Sequence, residues 1–398
     1  MSVSSPDLMM EDEVTSPEPT ADWVTTPGLQ ERTNERIYRI TSATDYLSVP
    51  ILGYITPHLV AITVITNSLV VIVLMKRNMK SPTNCVLIGM ALSDMFTGLI
   101  PMPIYVYFYT TGYYRDYMPS WSCGIYRIFT EIVPTIFHTA SIWLTLALAV
   151  QRYIYVCHSF KARTWCTIDN VIKGTVVIYV FATLIQILRF FEYHYRTIEV
   201  QSVIYENKTV YGCQMVRSDW LVRWQKIYYN CYYWFRVIFV HFIPCTALVV
   251  LNALLINAMR QAKKRRELLL MQNKRSESKN IKDTNCTTLM LVAVVGLFLV
   301  VELPLGIIML INNIQNTLDI LIINHKALSV VGQIVNMMIL LSYPLNFFIY
   351  CAMSKQFRNT FKQLFCGGPL PMDRECSQYM TLPTENGKTV TTGAETQL

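Results

Sequence analysis

Residues 142–158 read IWLTLALAVQRYIYVCH, and the rest of the chain can be placed from them. An apolar run interrupted by a single threonine ends at Gln151, Arg152 and Tyr153, and a basic, polar segment follows. A charge at the centre of a bilayer costs ~3 kcal/mol or more on insertion scales. Arg152 therefore belongs where a membrane helix meets the cytosol.

Composition extends this reading. The chain is 53% hydrophobic and 15% charged, too apolar for soluble domains of that size. The apolar residues are bunched into seven runs, at about 51–75, 84–109, 123–153, 170–191, 229–259, 285–312 and 327–352. Each is long enough for a bilayer span of ~20 residues, so the predicted fold class is an all-α membrane protein with seven transmembrane helices. No basic segment followed by a short apolar one opens the chain, so the first span is expected to do the targeting.

Lysines and arginines gather on the cytosolic side of spans. Lys76, Arg77 and Lys80 follow span one with no acid beside them, and residues 260–282 hold nine basic residues against two glutamates. Residues 1–49 carry nine acids and three arginines and are rich in Ser, Thr and Pro. They are expected to be a disordered extracellular arm, which puts the N-terminus outside the plasma membrane and the C-terminus inside. Both neighbours of the basic run are spans, so it reads as a cytosolic flank rather than a nucleic-acid patch. Of eleven cysteines, only Cys123 and Cys213 are clearly extracellular on this topology. Asn207-Lys-Thr209 is an extracellular glycosylation sequon.

Several residues inside the spans carry chemistry. Asp94 lies near mid-membrane in ALSD, Asn67 in TNSLV, Pro244 in FIPC, Glu302 in VELP, and Asn346 and Tyr350 in NFFIY. With Arg152 in QRY and Cys123 after Trp121, these fall in the order and on the helices of rhodopsin-like G protein-coupled receptors, which residues 50–366 resemble. Gln151 replaces the usual acid, Glu302 the usual tryptophan and Phe347 the usual proline. HTASIWLTLALAVQRYIYVCH, ARTWCT, TNCTTLML, VELP and SYPLNFFIYC resemble, more narrowly, the invertebrate sex peptide and myoinhibitory peptide receptor group. Myosuppressin-type and FMRFamide-type receptors are the near alternative.

The resemblance implies a Cys123–Cys213 disulfide and a sodium ion held by Asp94, Ser141, Ser342 and Asn346, with Asn67 tying the first, second and seventh helices together in the same polar core. It implies no other cofactor. Gln151, Arg152, Tyr153, Asn346 and Tyr350 would serve activation, with Phe160 plugging into a heterotrimeric, inhibitory G protein. Thr284 stands where an acid opposing Arg152 often sits on helix six in that family, and Asp283 beside it is the nearest substitute. The implied ligand is an extracellular amidated neuropeptide. Tyr105, Tyr109, Arg127, Glu131, His138, Arg236, Glu302 and Asn336 are its candidate pocket, with Tyr228, Tyr229, Tyr232 and Tyr233 among the surrounding aromatics. For Glu302 two readings stay open: an acid sharing a proton or cation with Asp94, or a group facing the ligand.

The spacing from Cys123 to Arg152 is four residues longer than the family's. One extra α-helical turn would keep Cys123 on nearly the same face. Residues 354–366 show Phe357, Phe361 and Phe365 on one face and Lys355, Arg358 and Lys362 on the other, an amphipathic eighth helix on the inner leaflet. Cys366 at its end is a palmitoylation candidate. The Thr-rich tail 367–398 offers phosphorylation sites for arrestin, and its Thr396-Gln397-Leu398 end fits PDZ capture. A transporter would show internal repeats, and none is found. No nucleophile, base and metal constellation suggests an enzyme.

Overall fold

The computed structural model describes residues 35–37, 45–205, 207–272, 274–320 and 322–367. Seven helices are long and apolar enough to cross a membrane: α1 (Tyr46–Leu74), α2 (Pro82–Thr110), α3 (Cys123–Cys157), α4 (Ile168–Phe191), α5 (Asp219–Met271), α6 (Asn285–Leu318) and α7 (Lys326–Met353). The amphipathic α8 (Lys355–Phe365) follows. These match the seven apolar runs.

The main difference is at α5, which begins ten residues before its expected start. Asp219 in the first turn favours a helix N-terminus electrostatically, and an aromatic segment carries the helix onward into its apolar run. The basic segment after it is helical as well, since α5 runs to Met271 and the α6 helix begins at Arg275.

Between α4 and α5 the chain forms a hairpin, β2 (Tyr193–Gln201) and β3 (Thr209–Arg217), paired antiparallel. A third strand, β1 (Glu35–Ile37), adds to the free edge of β3 with Arg36 opposite Met215. The arm expected to be disordered is thus ordered at 35–37 and again from residue 45. Its remaining residues, and the tail from 368, lie outside the described residues.

Three of the spans contain π-helical turns that end two residues before a proline: Val49–Ile55 before Pro57, Ile128–Ile132 before Pro134, and Arg236–Phe242 before Pro244. Proline has no N–H to give to the carbonyl four residues earlier, so the local ladder shifts to the wider repeat. In α1 the carbonyl of Gly53, four residues before Pro57, instead accepts a 2.6 Å hydrogen bond from Thr110 Oγ1 of α2. The stretch from Cys123 to Arg152 is therefore not α-helical throughout, because the π turn Ile128–Ile132 lies within it.

Two packed regions position the sites. At one end, Val70, Leu87, Met90, Leu144, Leu148, Met290, Leu291, Tyr350 and Phe357 form a core under α8. At the hairpin end, Tyr105, Phe108, Tyr109, Met118, Tyr193 and Met215 surround the Cys123–Cys213 disulfide. A β-carbon on Gly98 would lie 3.0 Å from Val60 and 3.2 Å from Leu340, so glycine there lets α1, α2 and α7 close together.

Only 11% of the most apolar window of α4 is buried, so most of that helix is a lipid-facing surface. It has no central tryptophan. The Tyr179 hydroxyl attaches it to α2, lying 2.7 Å from Ser93 Oγ and donating to the Gly89 carbonyl at 3.0 Å.

Candidate functional site

Asp94 is the centre of the polar interior. Its Oδ1 accepts a hydrogen bond from Ser141 Oγ at 2.7 Å, and its Oδ2 accepts one from Asn346 Nδ2 at 3.3 Å. Asp94, Ser141, Ser342 and Asn346 all line one small cavity of about 20 Å³, which Glu302 also lines. That volume is about one water-sized probe. The oxygen-rich residues expected together are thus brought together. Asn67 departs from its expected role, because its amide nitrogen donates to the Thr63 carbonyl of its own helix at 3.0 Å. Among the described residues there is no group of three or more His, Cys, Asp and Glu side chains arranged to hold a metal ion.

Glu302 resolves differently from either sequence reading alone. It shares the cavity with Asp94, but its close contacts are two imidazoles: Oε1 is 3.3 Å from His138 Nε2 and Oε2 is 3.7 Å from His241 Nδ1. His138 Nδ1 in turn lies 3.1 Å from the Tyr343 hydroxyl. The composition of the chain shows six histidines, but nothing in their spacing shows that two of them converge on one acid.

Four of the residues expected to line a ligand pocket are spent elsewhere. Arg127 and Glu131 belong to a buried network that includes Arg189 at the end of α4 and Glu192 beside it. Arg127 donates to the Arg189 carbonyl at 2.8 Å and pairs with Glu192, while Arg189 contacts Glu131 at 3.2 Å and Glu192 at 3.4 Å. The Tyr228 hydroxyl donates to Glu192 at 2.7 Å, and the Arg127 guanidinium lies 4.6 Å from the centre of the Tyr193 ring. Two arginines and two glutamates neutralise one another, which is the condition for burying any of them. Tyr105 and Tyr109 pack into the core beneath the disulfide. Arg236 and Asn336 are half-buried, and Arg236 Nε and Asn336 Oδ1 make no hydrogen bond.

The open crevice at the hairpin end lies between β3, α5 and α6 and measures about 570 Å³. Arg217, Arg223, Lys226, Asn230, Asn313, Asn316 and Asp319 line it, with Tyr229 and Tyr233. Asn313 is almost wholly buried and its Nδ2 makes no hydrogen bond. Lys226 and Asp319 are 3.5 Å apart but both highly exposed, a pair that contributes little to stability. The two tyrosines were among the aromatics noted in the sequence. The asparagines were not, since an amide near a span end carries no periodic signal.

At the opposite end, Gln151 is buried and neither of its amide atoms is hydrogen bonded. Arg152 makes no ion pair with a described residue, and its guanidinium sits 5.7 Å from the centre of the Tyr155 ring. The side chains of Asp283 and Thr284 lie outside the described residues. Tyr153 packs edge-on against His158. In the segment after α3, Phe160 is 89% exposed, a large apolar ring left facing outward. Nearby, burial pushes the Cys166 thiol above its ordinary range, partly offset by the Arg152 charge. Tyr350 packs on Phe357, and Arg358 of α8 donates to the carbonyls of Cys351 and Ala352, capping α7. Asn207 is exposed in the β2–β3 turn, and Cys366 is exposed just past α8.

A bundle of seven apolar helices, closed by a disulfide at one end and carrying Arg152 at the other, defines the class, and the sequence agrees. The family described as serpentine type 7TM GPCR chemoreceptor Srw matches residues 54–368, and the chain belongs to it. It is a multi-pass plasma-membrane receptor and not an enzyme. Among its relatives is the sex peptide receptor of Drosophila melanogaster, 43% identical over 354 residues, covering 88% of this chain and 80% of that protein. Sex peptide receptor-related protein 2 of Caenorhabditis elegans is 36% identical over 332 residues, covering 81% and 73% respectively. The FMRFamide receptor of Drosophila melanogaster is 27% identical over 336 residues, covering 81% and 55%.

Proposed function

We propose that this receptor is activated by an amidated neuropeptide of the myoinhibitory or sex-peptide type, which enters at the hairpin end and drives nucleotide exchange on an inhibitory G protein at the Arg152 end. The observation that carries this reading is the crevice between α5 and α6, of a volume that suits a few peptide side chains. Its amides and cations match the carbonyls and acids of a peptide, and its tyrosine rings give aromatic side chains a stacking surface. Arg236 and Asn336 continue the polar lining inward, while Arg127, Glu131, Tyr105 and Tyr109 hold the walls. The relatives named for sex peptide and FMRFamide support a peptide ligand.

The hairpin end faces outward on this reading, with Asn207 glycosylated, and the C-terminus is cytosolic with Cys366 palmitoylated. Phe160 and Arg152 meet the G protein, and arrestin and a PDZ domain engage the tail. A sodium ion occupies the Asp94 cavity in the resting form. Peptide binding shifts a two-state bundle towards a form open at the Arg152 end.

The test is nucleotide exchange on purified inhibitory G protein in membranes carrying the full chain, with a panel of synthetic amidated peptides, some containing tryptophan and some ending in Arg-Phe-amide. Stimulation by the tryptophan peptides, weakened by Asn313→Leu and abolished by Arg152→Ala, is the expected result. A response confined to the Arg-Phe-amide peptides would favour the FMRFamide-type reading, and silence across the panel would remove the peptide assignment.

A further inference from the structure

The crevice between β3, α5 and α6 carries an excess of positive charge. Arg217, Arg223 and Lys226 line it against one acid, Asp319. Lys226 and Asp319 lie 3.5 Å apart but are 75% and 78% exposed, a weak pair that a competing carboxylate can exchange. Asn313 is almost fully buried and its Nδ2 has no acceptor, and the rings of Tyr229 and Tyr233 stack with their centres 6.0 Å apart. This lining suits an acid next to an aromatic ring.

Such a pair exists in the chain itself. Residues 1–31 hold seven acids and no lysine, arginine or histidine, and their one aromatic residue is Trp23, directly after Asp22. The register of β1 fixes where this segment joins the fold. Glu35 pairs with Val216, Arg36 with Met215 and Ile37 with Gln214, so the chain runs onto the sheet from the Arg217 end of β3. Arg217 is the last residue of that strand and itself lines the crevice, and α5 begins two residues later. Eleven residues, 24–34, join Trp23 to β1. Extended, they span ~35–40 Å, whereas Arg223 and Tyr233 are only ~15 Å apart along α5. The tether is long enough to bring Trp23 to the tyrosines.

Resting on the assignment of this crevice to the activating peptide, we infer that Asp22 and Trp23 of the arm occupy it in the ligand-free receptor and that the peptide has to displace them. Asp22 meets the guanidinium groups of Arg217 and Arg223, and Trp23 lies on the tyrosine rings. A short tether holds a segment at an effective concentration in the ~mM range. A contact too weak to form between separate molecules is then populated, and the apparent affinity for the peptide falls in proportion to the fraction of receptors left open. The arm thereby sets the ligand concentration at which the receptor responds, without touching the Arg152 end.

The experiment puts the photoreactive residue benzoylphenylalanine in place of Trp23 in the full chain, irradiates ligand-free membranes and maps the adduct by mass spectrometry. The expected adduct joins position 23 to residues 217–233 or 313–319 of the same chain. Per receptor labelled at the surface, Arg223→Glu is expected to lower its yield severalfold, and Asp22→Arg in that background to restore it. A saturating synthetic amidated peptide with two tryptophans is expected to suppress it. In nucleotide exchange, Asp22→Lys and Trp23→Ala are each expected to lower the half-maximal peptide concentration severalfold at an unchanged maximum. Absence of a crevice adduct, or an adduct that joins two chains, would overturn the inference, as would a wild-type half-maximal concentration in both arm variants. If no peptide drives exchange in the wild type, the peptide reading and the displacement fall together, while the adduct alone decides where the arm sits.

Discussion

Arg127 of α3 and Glu192 at the start of the hairpin segment form an ion pair in which the side chains are 5% and 0% exposed. Removing one member of a buried pair leaves an uncompensated charge and costs ~3–5 kcal/mol. Glu192→Ala should therefore lower the melting temperature of the detergent-solubilised receptor steeply and reduce its delivery to the cell surface. Glu131→Ala, which leaves the Arg127–Glu192 contact in place, should be milder. Equal losses for the two variants would show that the network does not centre on this pair.

The hydrogen bond from Thr110 to the Gly53 carbonyl satisfies a backbone group that Pro57 leaves without its helical donor. Thr110→Val keeps the shape and removes the donor. A buried acceptor left unsatisfied costs about 1–3 kcal/mol, which should appear as a lower melting temperature. Thr110→Ser should restore most of it.

Gln151 makes no hydrogen bond through its side chain, and Arg152 has no ion pair among the described residues. An acid at position 151 would supply the missing partner. Gln151→Asp should lower ligand-free nucleotide exchange while preserving the peptide-evoked maximum. Unchanged ligand-free exchange in that variant would show that the resting state is held elsewhere.

Asp94 accepts two side-chain hydrogen bonds at the edge of a cavity that fits a single small ion. If sodium stabilises the resting form there, replacing choline chloride by sodium chloride at constant ionic strength should raise the peptide concentration needed for half-maximal exchange. Asp94→Asn should abolish the difference. A sodium effect that persists in Asp94→Asn would place the ion at another site.

How far the sequence could be read depended on whether the partners of a residue lay on predictable faces. The seven spans were legible because apolar composition and length report them directly, and the Cys123–Cys213 disulfide because the resemblance implies it and topology puts both cysteines on one side. The Asp94, Ser141 and Asn346 cluster was legible through the family resemblance, whose motifs place its members on facing stretches of α2, α3 and α7. The network that joins Arg127 and Glu131 to Arg189 and Glu192 was not legible, because these partners lie some sixty positions later at a span end. The two imidazoles beside Glu302 were hidden for a related reason. His241 sits inside a π turn, where counting by 3.6 residues no longer tells which face a side chain occupies.

The proline-linked π turns also affect how this receptor is compared with its relatives. One extra residue in a turn rotates all that lies beyond it by about 100°. Numbering outward from Pro134 or Pro244 will therefore pair side chains that point in different directions whenever a relative lacks the turn. Ligand-contact maps transferred between such receptors should be anchored at the disulfide for the hairpin half and at the prolines for the other, or they will misassign the residues that choose the peptide.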